Sequence, residues 1–382
     1  MSFSLTNNEV IQNYASSNSK QIQSTFDYEN ASKRYINIDD IRIQAYASKG
    51  GRHYQEDRAV FIKDFNQMIP NSDKSTTRSF FAVFDGHGGS IVSQELSNKF
   101  ALHLANHSMV LTHPIDALQE VWKEMDSTIY KRCQKYADDM KSMGGTGEFP
   151  TDGSTAVIGF LVHQEFYVMN CGDSHCYYFD NEGIGSRLTE DHSTRNPEEV
   201  SRCLKAGGLI HGKKGCKFLP FPLCLIPYNY GYNKKTRRIY PGGLEVTRSF
   251  GDFDAKKEEL GGREGVILSH HGKIAVLKLS NVKYIVLGSD GIWDPLEPTI
   301  VYRIISQRLR ASRREDNSED LNKNTGILGN TIRDLDIGGD RANNAERLCK
   351  SAVNSCYWWE QRTHADNATA IIVELSHSQV DI

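Results

Sequence analysis

The chain has 382 residues, 38% of them hydrophobic and 24% charged, and a formal net charge of −3. That balance suits a soluble globular protein. It provides no global field toward nucleic acid or a membrane surface, and no apolar run approaches the ~18 residues a membrane span needs. Eight cysteines are scattered without Cys-x-x-Cys pairs, which points to reduced thiols in an intracellular protein, cytoplasmic or nuclear, rather than to a zinc site or a disulfide framework.

Residues 1–35 read as a flexible polar tail. Met1 to Asn30 is rich in Ser, Asn and Gln and lacks the apolar h-region of a secretory signal. Apolar runs then predict strands at Ile41–Ala47, Arg58–Ile62 and Phe80–Phe84. Helical spacing follows at Ser90–Asn106, through Val92, Leu96, Phe100 and Leu104, and at Pro114–Met140. Past the breaker-rich link Gly144–Gly153, short turns separate strands at Ser154–Val162, Glu165–Cys171, His175–Phe179 and Ser186–Leu188, the pattern of antiparallel hairpins. Asn196-Pro197-Glu198-Glu199 has the cap, proline and acids of a helix start, and Gly207-Gly208 its stop. Strands are expected near Lys273–Leu279, Lys283–Leu287 and Ala368–Leu375, with helices at Glu297–Ala311 and Ala345–Glu360. Leu209–Gly243 and Ser312–Asn344 look like insertions. Length alone suggests two or three domains, and runs of strands interrupted by blocks of helices suggest α+β layers.

Acidic residues sit where apolar runs end. Phe80–Phe84 runs into Asp85-Gly86-His87, Tyr167–Asn170 into Cys171-Gly172-Asp173, Tyr284–Leu287 into Gly288-Ser289-Asp290, and Asp366-Asn367 precedes Ala368–Val373. Asp-Gly is a common turn, so each pair alone would be a bend. Several buried strand tips converging would instead repel one another unless a divalent cation neutralised them, which proposes a hard-metal site on oxygen ligands. Asp85, Asp290 and Asp366 would bridge two cations about 3.5–4 Å apart, whose bridging hydroxide is the nucleophile. Gly86 would let its own carbonyl approach a metal. His87 is placed to protonate the leaving oxygen, its bland alternative being a structural histidine. Upstream, Arg52 offers a planar fork for phosphate beside Glu56-Asp57.

At this point the residues carry a resemblance. Arg52-x-x-x-Glu56-Asp57, Phe84-Asp85-Gly86-His87-Gly88-Gly89, Gly153-Ser154-Thr155-Ala156, Cys171-Gly172-Asp173-Ser174 and Thr189-Glu190-Asp191-His192 resemble motifs of the type 2C metal-dependent protein serine/threonine phosphatases. So do Thr247-Arg248-Ser249-Phe250-Gly251-Asp252, Ser289-Asp290-Gly291-Ile292-Trp293-Asp294 and Asp366-Asn367-Ala368-Thr369, all in the family's order. The resemblance implies one catalytic domain at 36–376 with a short tail at 377–382. Its fold would be a central antiparallel β-sandwich flanked by helices on both outer faces. It implies two Mn²⁺ or Mg²⁺ ions with a weaker third, and phosphoserine/phosphothreonine protein substrates for a monomeric enzyme. Arg52 matches the phosphate-binding arginine and His87 the general acid. Glu56, Asp85 and Gly86 match one metal's ligands, and Asp85, Asp290 and Asp366 the other's. Asp173 with Asp290 matches the third position, and Asp57 is grouped with the set as a residue that hydrogen-bonds the loop or orients metal water. His175 departs from the family, which usually has arginine there.

Leu209–Gly243 falls at the family's variable flap. It carries Lys213, Lys214, Lys217, Lys234, Lys235, Arg237 and Arg238 and no Asp or Glu, so Lys234, Lys235, Arg237 and Arg238 are expected to attract phosphorylated or acidic segments. A rival signature, Cys356 to Arg362, has the Cys-x₅-Arg spacing of cysteine-dependent phosphatases. Its intervening residues are too bulky for a phosphate-wrapping loop, and the segment reads as a helix end. The alternative from another class is a catalytically silent module that captures phosphoproteins.

Overall fold

The computed structural model describes residues 36–73, 75–212, 237–307, 344–358 and 365–376. The N-terminal tail, Lys213, Lys214, Lys217, Lys234, Lys235, residues 308–343, Arg362 and the C-terminal tail lie outside them. The chain opens with β1 (Ile41–Ser48), β2 (Arg58–Ile62), β3 (Arg78–Phe84) and the short β4 (Gly86–His87). Helices α1 (Ile91–Ala105) and α2 (Pro114–Ser142) follow. Next come β5 (Gly153–Ser154), β6 (Ala156–Val162), β7 (Glu165–Cys171), β8 (His175–Asp180) and β9 (Gly185–Arg187). Beyond α3 (Pro197–Lys205) lie β10 (Leu209–Gly212), β11 (Arg237–Tyr240), β12 (Phe250–Gly251), α4 (Phe253–Lys256), β13 (Ala275–Lys278) and β14 (Val282–Gly288). Helices α5 (Asp290–Trp293), α6 (Pro298–Ser306) and α7 (Asn344–Trp358) precede the last described strand, β15 (Ala368–Leu375).

Two five-stranded antiparallel sheets, ordered β1-β15-β14-β8-β9 and β13-β7-β6-β3-β2, make the sandwich. The central strands β3, β6, β14 and β15 read as nearly unbroken apolar runs because both faces of the sheets are covered there. On β3, Phe81 and Val83 point between the sheets, while Phe80, Ala82 and Phe84 point toward α1 and α2. On β15, Ile371 and Val373 join the inter-sheet core, and Ala370 and Ile372 pack under α6 and α7. This alternation is the period-2 pleat expressed with apolar residues at both phases. The helices supply the outer layers: α2 buries Leu118, Val121, Trp122, Met125 and Ile129 at helical spacing. Trp122 also donates to the Ser269 carbonyl at 2.7 Å, so its indole N–H is not stranded in the core.

Most strand and helix bounds follow the sequence expectations, but the expected strand Ser154–Val162 is divided between β5 and β6 in different sheets, the ends of the Leu209–Gly243 segment pair as β10 and β11, and Asp290 differs in kind. Asp290 does not end a strand in a hairpin bend; it begins the one-turn helix α5, with Ser289 as the preceding extended residue. Asp294 N–H donates to the Asp290 carbonyl at 2.8 Å to close that turn. Gly291 is required there, since a Cβ would collide with the Asn367 carbonyl of the neighbouring strand tip. Cys356 is buried in the last turns of α7 rather than in a phosphate-wrapping loop. Among the described residues no helix is long and apolar enough to cross a membrane.

Candidate active site

The site lies at one end of the sandwich, where the loop before β2, the end of β3, the link after β7 and the facing ends of β14 and β15 meet. Each tip is tied to its neighbour by backbone groups. Thr155 N–H donates to the Asp85 carbonyl at 2.9 Å, and Ser289 N–H to the Thr369 carbonyl at 3.1 Å. Asn367 staples the 49–56 loop to β15: its amide donates to the carbonyls of Lys49 at 2.9 Å and Tyr54 at 3.1 Å, and its oxygen accepts from Glu56 N–H at 2.8 Å. Ser93 on α1 donates to the Glu56 carbonyl at 2.6 Å. Gly86 runs so close to that carbonyl that a Cβ would collide with it. No local pattern marks Asn367 for this stapling role, because its three partners lie more than 300 residues away in the chain.

Asp57, Asp85, Asp173, Asp290 and Asp366 act on one another electrostatically. Burial, and then the charges of Asp57, Asp290, Asp366 and Asp173, push the Asp85 carboxyl well above its usual range. Burial, followed by Asp173, Asp366, Asp294 and Asp57, does the same to Asp290. Asp57 is enclosed and burial pushes it up to about 6. The hydroxyls of Ser289 and Thr369 face it, yet neither of its oxygens closes a hydrogen bond of ordinary geometry. Asp173 is also pushed to about 6 by burial, which Arg195 partly opposes.

Positive charge reaches this cluster from two arginines. Arg52 Nη2 lies 2.5 Å from Asp366 Oδ2, with the two side chains 55% and 32% exposed. Burial lowers the Arg52 pKa, but attraction to Asp366, Asp290 and Asp85 outweighs it. Arg195, which the sequence reading passed over, joins Asp173, Asp294 and Asp191. Among the described residues, no three His, Cys, Asp or Glu side chains stand close enough together to enclose an ion as they lie. The donor chemistry nevertheless fits a hard divalent cation. Its side-chain donors are carboxylate oxygens only, in mutual repulsion, with the Asp57 pair buried and unsatisfied.

His87 lies beside the cluster, 29% exposed, with Nε2 2.9 Å from Oδ2 of the buried Asp252. Burial disfavours its charged form, but the Asp252 carboxylate overcomes this and raises its pKa. Asp252, which closes the Thr247–Asp252 motif, adopts a left-handed backbone at φ 49° and also accepts from the Ser249 hydroxyl. Its neighbours Thr247 and Arg248 are structural: Arg248 grips Glu199 of α3 through two bonds, at 2.6 and 3.0 Å, and the Thr247 hydroxyl adds a third at 2.8 Å. His175 turns inward, within 3.0 Å of the Thr189 hydroxyl, and burial holds it near 4, hence neutral. In the flap, Arg237 is exposed on β11, whereas Arg238 is tied to Glu245 at 2.8 Å and to the Gly243 carbonyl at 2.6 Å.

A family model described as Protein phosphatase 2C matches residues 41–326. The chain belongs to that family. It is 27% identical over 279 residues to a rice protein named probable protein phosphatase 2C 16, covering 66% of this chain and 51% of that one. It is 26% identical over 272 residues to probable protein phosphatase 2C 4 of Paramecium tetraurelia, covering 70% and 78%. The chain thus spans about half the length of the rice relative. A solved serine-threonine phosphatase 2C from Toxoplasma gondii aligns over 88% of this chain and 95% of its own, with a TM-score of 0.60 and 19% identity, which shows a shared fold. A solved C. elegans sex determining protein aligns with a TM-score of 0.59 at 21% identity over 88% of this chain and 65% of its own. In this phosphatase 2C chain Asp366 lies beyond the matched span, and the pairing of β15 between β1 and β14 is what brings it back to the site.

Proposed function

We propose that the protein hydrolyses phosphoserine and phosphothreonine in proteins with the help of bound Mn²⁺ or Mg²⁺. The observation that carries this reading is the set of mutually repelling, largely buried carboxylates of Asp57, Asp85, Asp173, Asp290 and Asp366 beside Arg52. Ionised, such a cluster destabilises the fold unless cations offset it. Glu56, Asp57, Asp85, the Gly86 carbonyl, Asp290 and Asp366 would hold two such ions, whose chemistry when bound is to polarise the phosphoryl group and to activate water near neutral pH.

The chain's own groups then have distinct tasks. Arg52 is half exposed and bound to one carboxylate, so it is free to exchange Asp366 for a substrate phosphate, for which its fork is suited. His87, whose protonated form the Asp252 carboxylate favours, is placed to give a proton to the departing serine or threonine oxygen. Arg237, exposed on β11 at the edge of the flap, attracts the acidic flank of the substrate, and Lys234 and Lys235 are proposed to join it. The deciding experiment is turnover of a phosphoserine protein with Mn²⁺, with and without chelator, in the wild type and in Asp85→Ala. Turnover that chelator and substitution both abolish supports the reading. Capture of the phosphoprotein without turnover would establish the silent-module alternative instead.

A further inference from the structure

Arg195 stands in the short linker between Asp191 and α3, and all of its guanidinium nitrogens are engaged. Nη2 donates to Asp173 Oδ2 at 2.9 Å, Nη1 to Asp294 Oδ1 at 2.9 Å, and Nε to Asp191 Oδ2 at 3.3 Å and the Ser193 hydroxyl at 3.2 Å. The linker itself is held. Thr194 N–H donates to the Glu245 carbonyl at 3.0 Å, and Asn196, which caps α3, donates through its amide to the Asp191 carbonyl at 2.9 Å. The cation is therefore delivered to the carboxylates by the fold rather than by a freely swinging surface side chain.

Resting on the metal-dependent reading above, we propose that Arg195 is a resident cation that occupies the Asp173 side of the acidic cluster and excludes a further divalent ion from it. A guanidinium cannot be deprotonated in a protein, and its planar fork suits carboxylates. An entering Mn²⁺ would have to break these charge-assisted bonds and then sit beside a positive charge that cannot leave. Arg52 contrasts with it: that side chain holds one carboxylate and is 55% exposed, whereas Arg195 holds three and is 39% exposed. One arginine can yield its carboxylate when an ion arrives; the other is locked.

The test counts ions. Chelator-stripped full-length protein is titrated with Mn²⁺ by calorimetry, with free Mn²⁺ followed by paramagnetic resonance. Arg195→Ala is expected to bind one more Mn²⁺ per chain than the wild type, and Arg195→Lys, which keeps the charge, the wild-type number. Adding Asp173→Asn to Arg195→Ala should remove the extra ion. Equal counts in wild type and Arg195→Ala overturn the inference, as does an extra ion that survives Asp173→Asn. Should the Arg195 variants fail to fold, Asp173→Asn in the otherwise native chain decides: an unchanged ion count supports the inference, and the loss of an ion overturns it. No Mn²⁺ uptake by the wild type would remove the metal reading and this inference together. Uptake with the wrong count removes this inference alone.

Discussion

His87 Nε2 lies within 2.9 and 3.0 Å of the two oxygens of Asp252, a contact that spans 165 residues of sequence. The carboxylate is 2% exposed and itself accepts from Ser249, so it holds the imidazole in one orientation at the edge of the acidic cluster. An acid positioned in this way contributes roughly 10²–10⁴ to a rate when the leaving group is poor. Asp252→Asn and His87→Gln are each expected to lower kcat on a phosphoserine protein by about 100-fold. On an aryl phosphate with an activated leaving group the loss should be much smaller. Equal losses on both substrates would contradict the acid role.

Asp290 tests the electrostatics from the side of stability. Its carboxyl is raised by burial and by four neighbouring aspartates, so Asp290→Asn removes a destabilising charge. The chelated variant should melt higher than the chelated wild type, by about 1–2 °C for each kcal/mol of repulsion relieved in a chain of this length. Addition of Mn²⁺ should raise the Tm of the wild type, by mass action, and leave the variant nearly unchanged. A chelated Tm that falls would show that the carboxylate is held favourably without an ion.

Gly291 sets the spacing between two strand tips. Gly291→Ala places a methyl against the Asn367 carbonyl, and Asn367 positions the loop that carries Arg52 and Glu56. The variant is expected to lose Mn²⁺ affinity by roughly 10–100-fold, as seen when groups that orient metal ligands are disturbed. Calorimetry on folded variant, checked by circular dichroism, reads this; native affinity would show that the tips move independently.

Acid should weaken the protein through groups outside the metal cluster. Glu199 is buried, which raises its pKa, but Arg248, Arg202 and Thr247 outweigh this and hold it near 2, below the ordinary 4.5. Its contribution is present above pH 4.5 and is lost as pH falls toward 2, on the order of 2 kcal/mol after allowance for solvent screening. His192 is held near 3 by burial and by Arg248, below the ordinary 6.5, so its contribution begins to fall away below pH 6.5. In the chelated protein the raised carboxyls of Asp57, Asp173, Asp85 and Asp290 take up protons in the folded state and act in the opposite sense as pH falls from 7 to 4. The acid loss from Glu199 is therefore read as the difference in urea midpoint between wild type and Glu199→Gln, which should narrow as pH falls from 4.5 toward 2. Glu199→Gln should remove that pH dependence and lower stability at pH 7 by about 2 kcal/mol, because Arg248 and Arg202 lose their carboxylate. A curve unchanged by Glu199→Gln would contradict the pairing.

Much of this protein could be read from its residues in order. Glu165–Cys171 and Ala368–Leu375 form the expected strands to the residue, because a long apolar run bounded by turn residues has few other ways to bury itself. The Asn-Pro-Glu-Glu start of α3 and the proline start of α2 also acted locally. The strand-tip placement of Asp85, Asp290 and Asp366 follows from the same runs, since a polar side chain at the end of a buried strand must emerge at the edge of the core.

Partnerships were another matter. No local pattern pairs Asp252 with His87, 165 residues away; Arg195 carried no local signal, since its three carboxylates come from separate segments. Thr247 and Arg248 belong to a motif that suggested the active site, yet they fasten α3 through Glu199. Local propensity and hydrophobic periodicity act over a few residues and therefore determined the strands, the helices and the carboxylates at their tips. Ion pairing acts through space over a few ångströms, so which charge neutralises which was decided only when the two sheets closed and brought distant loops to one end.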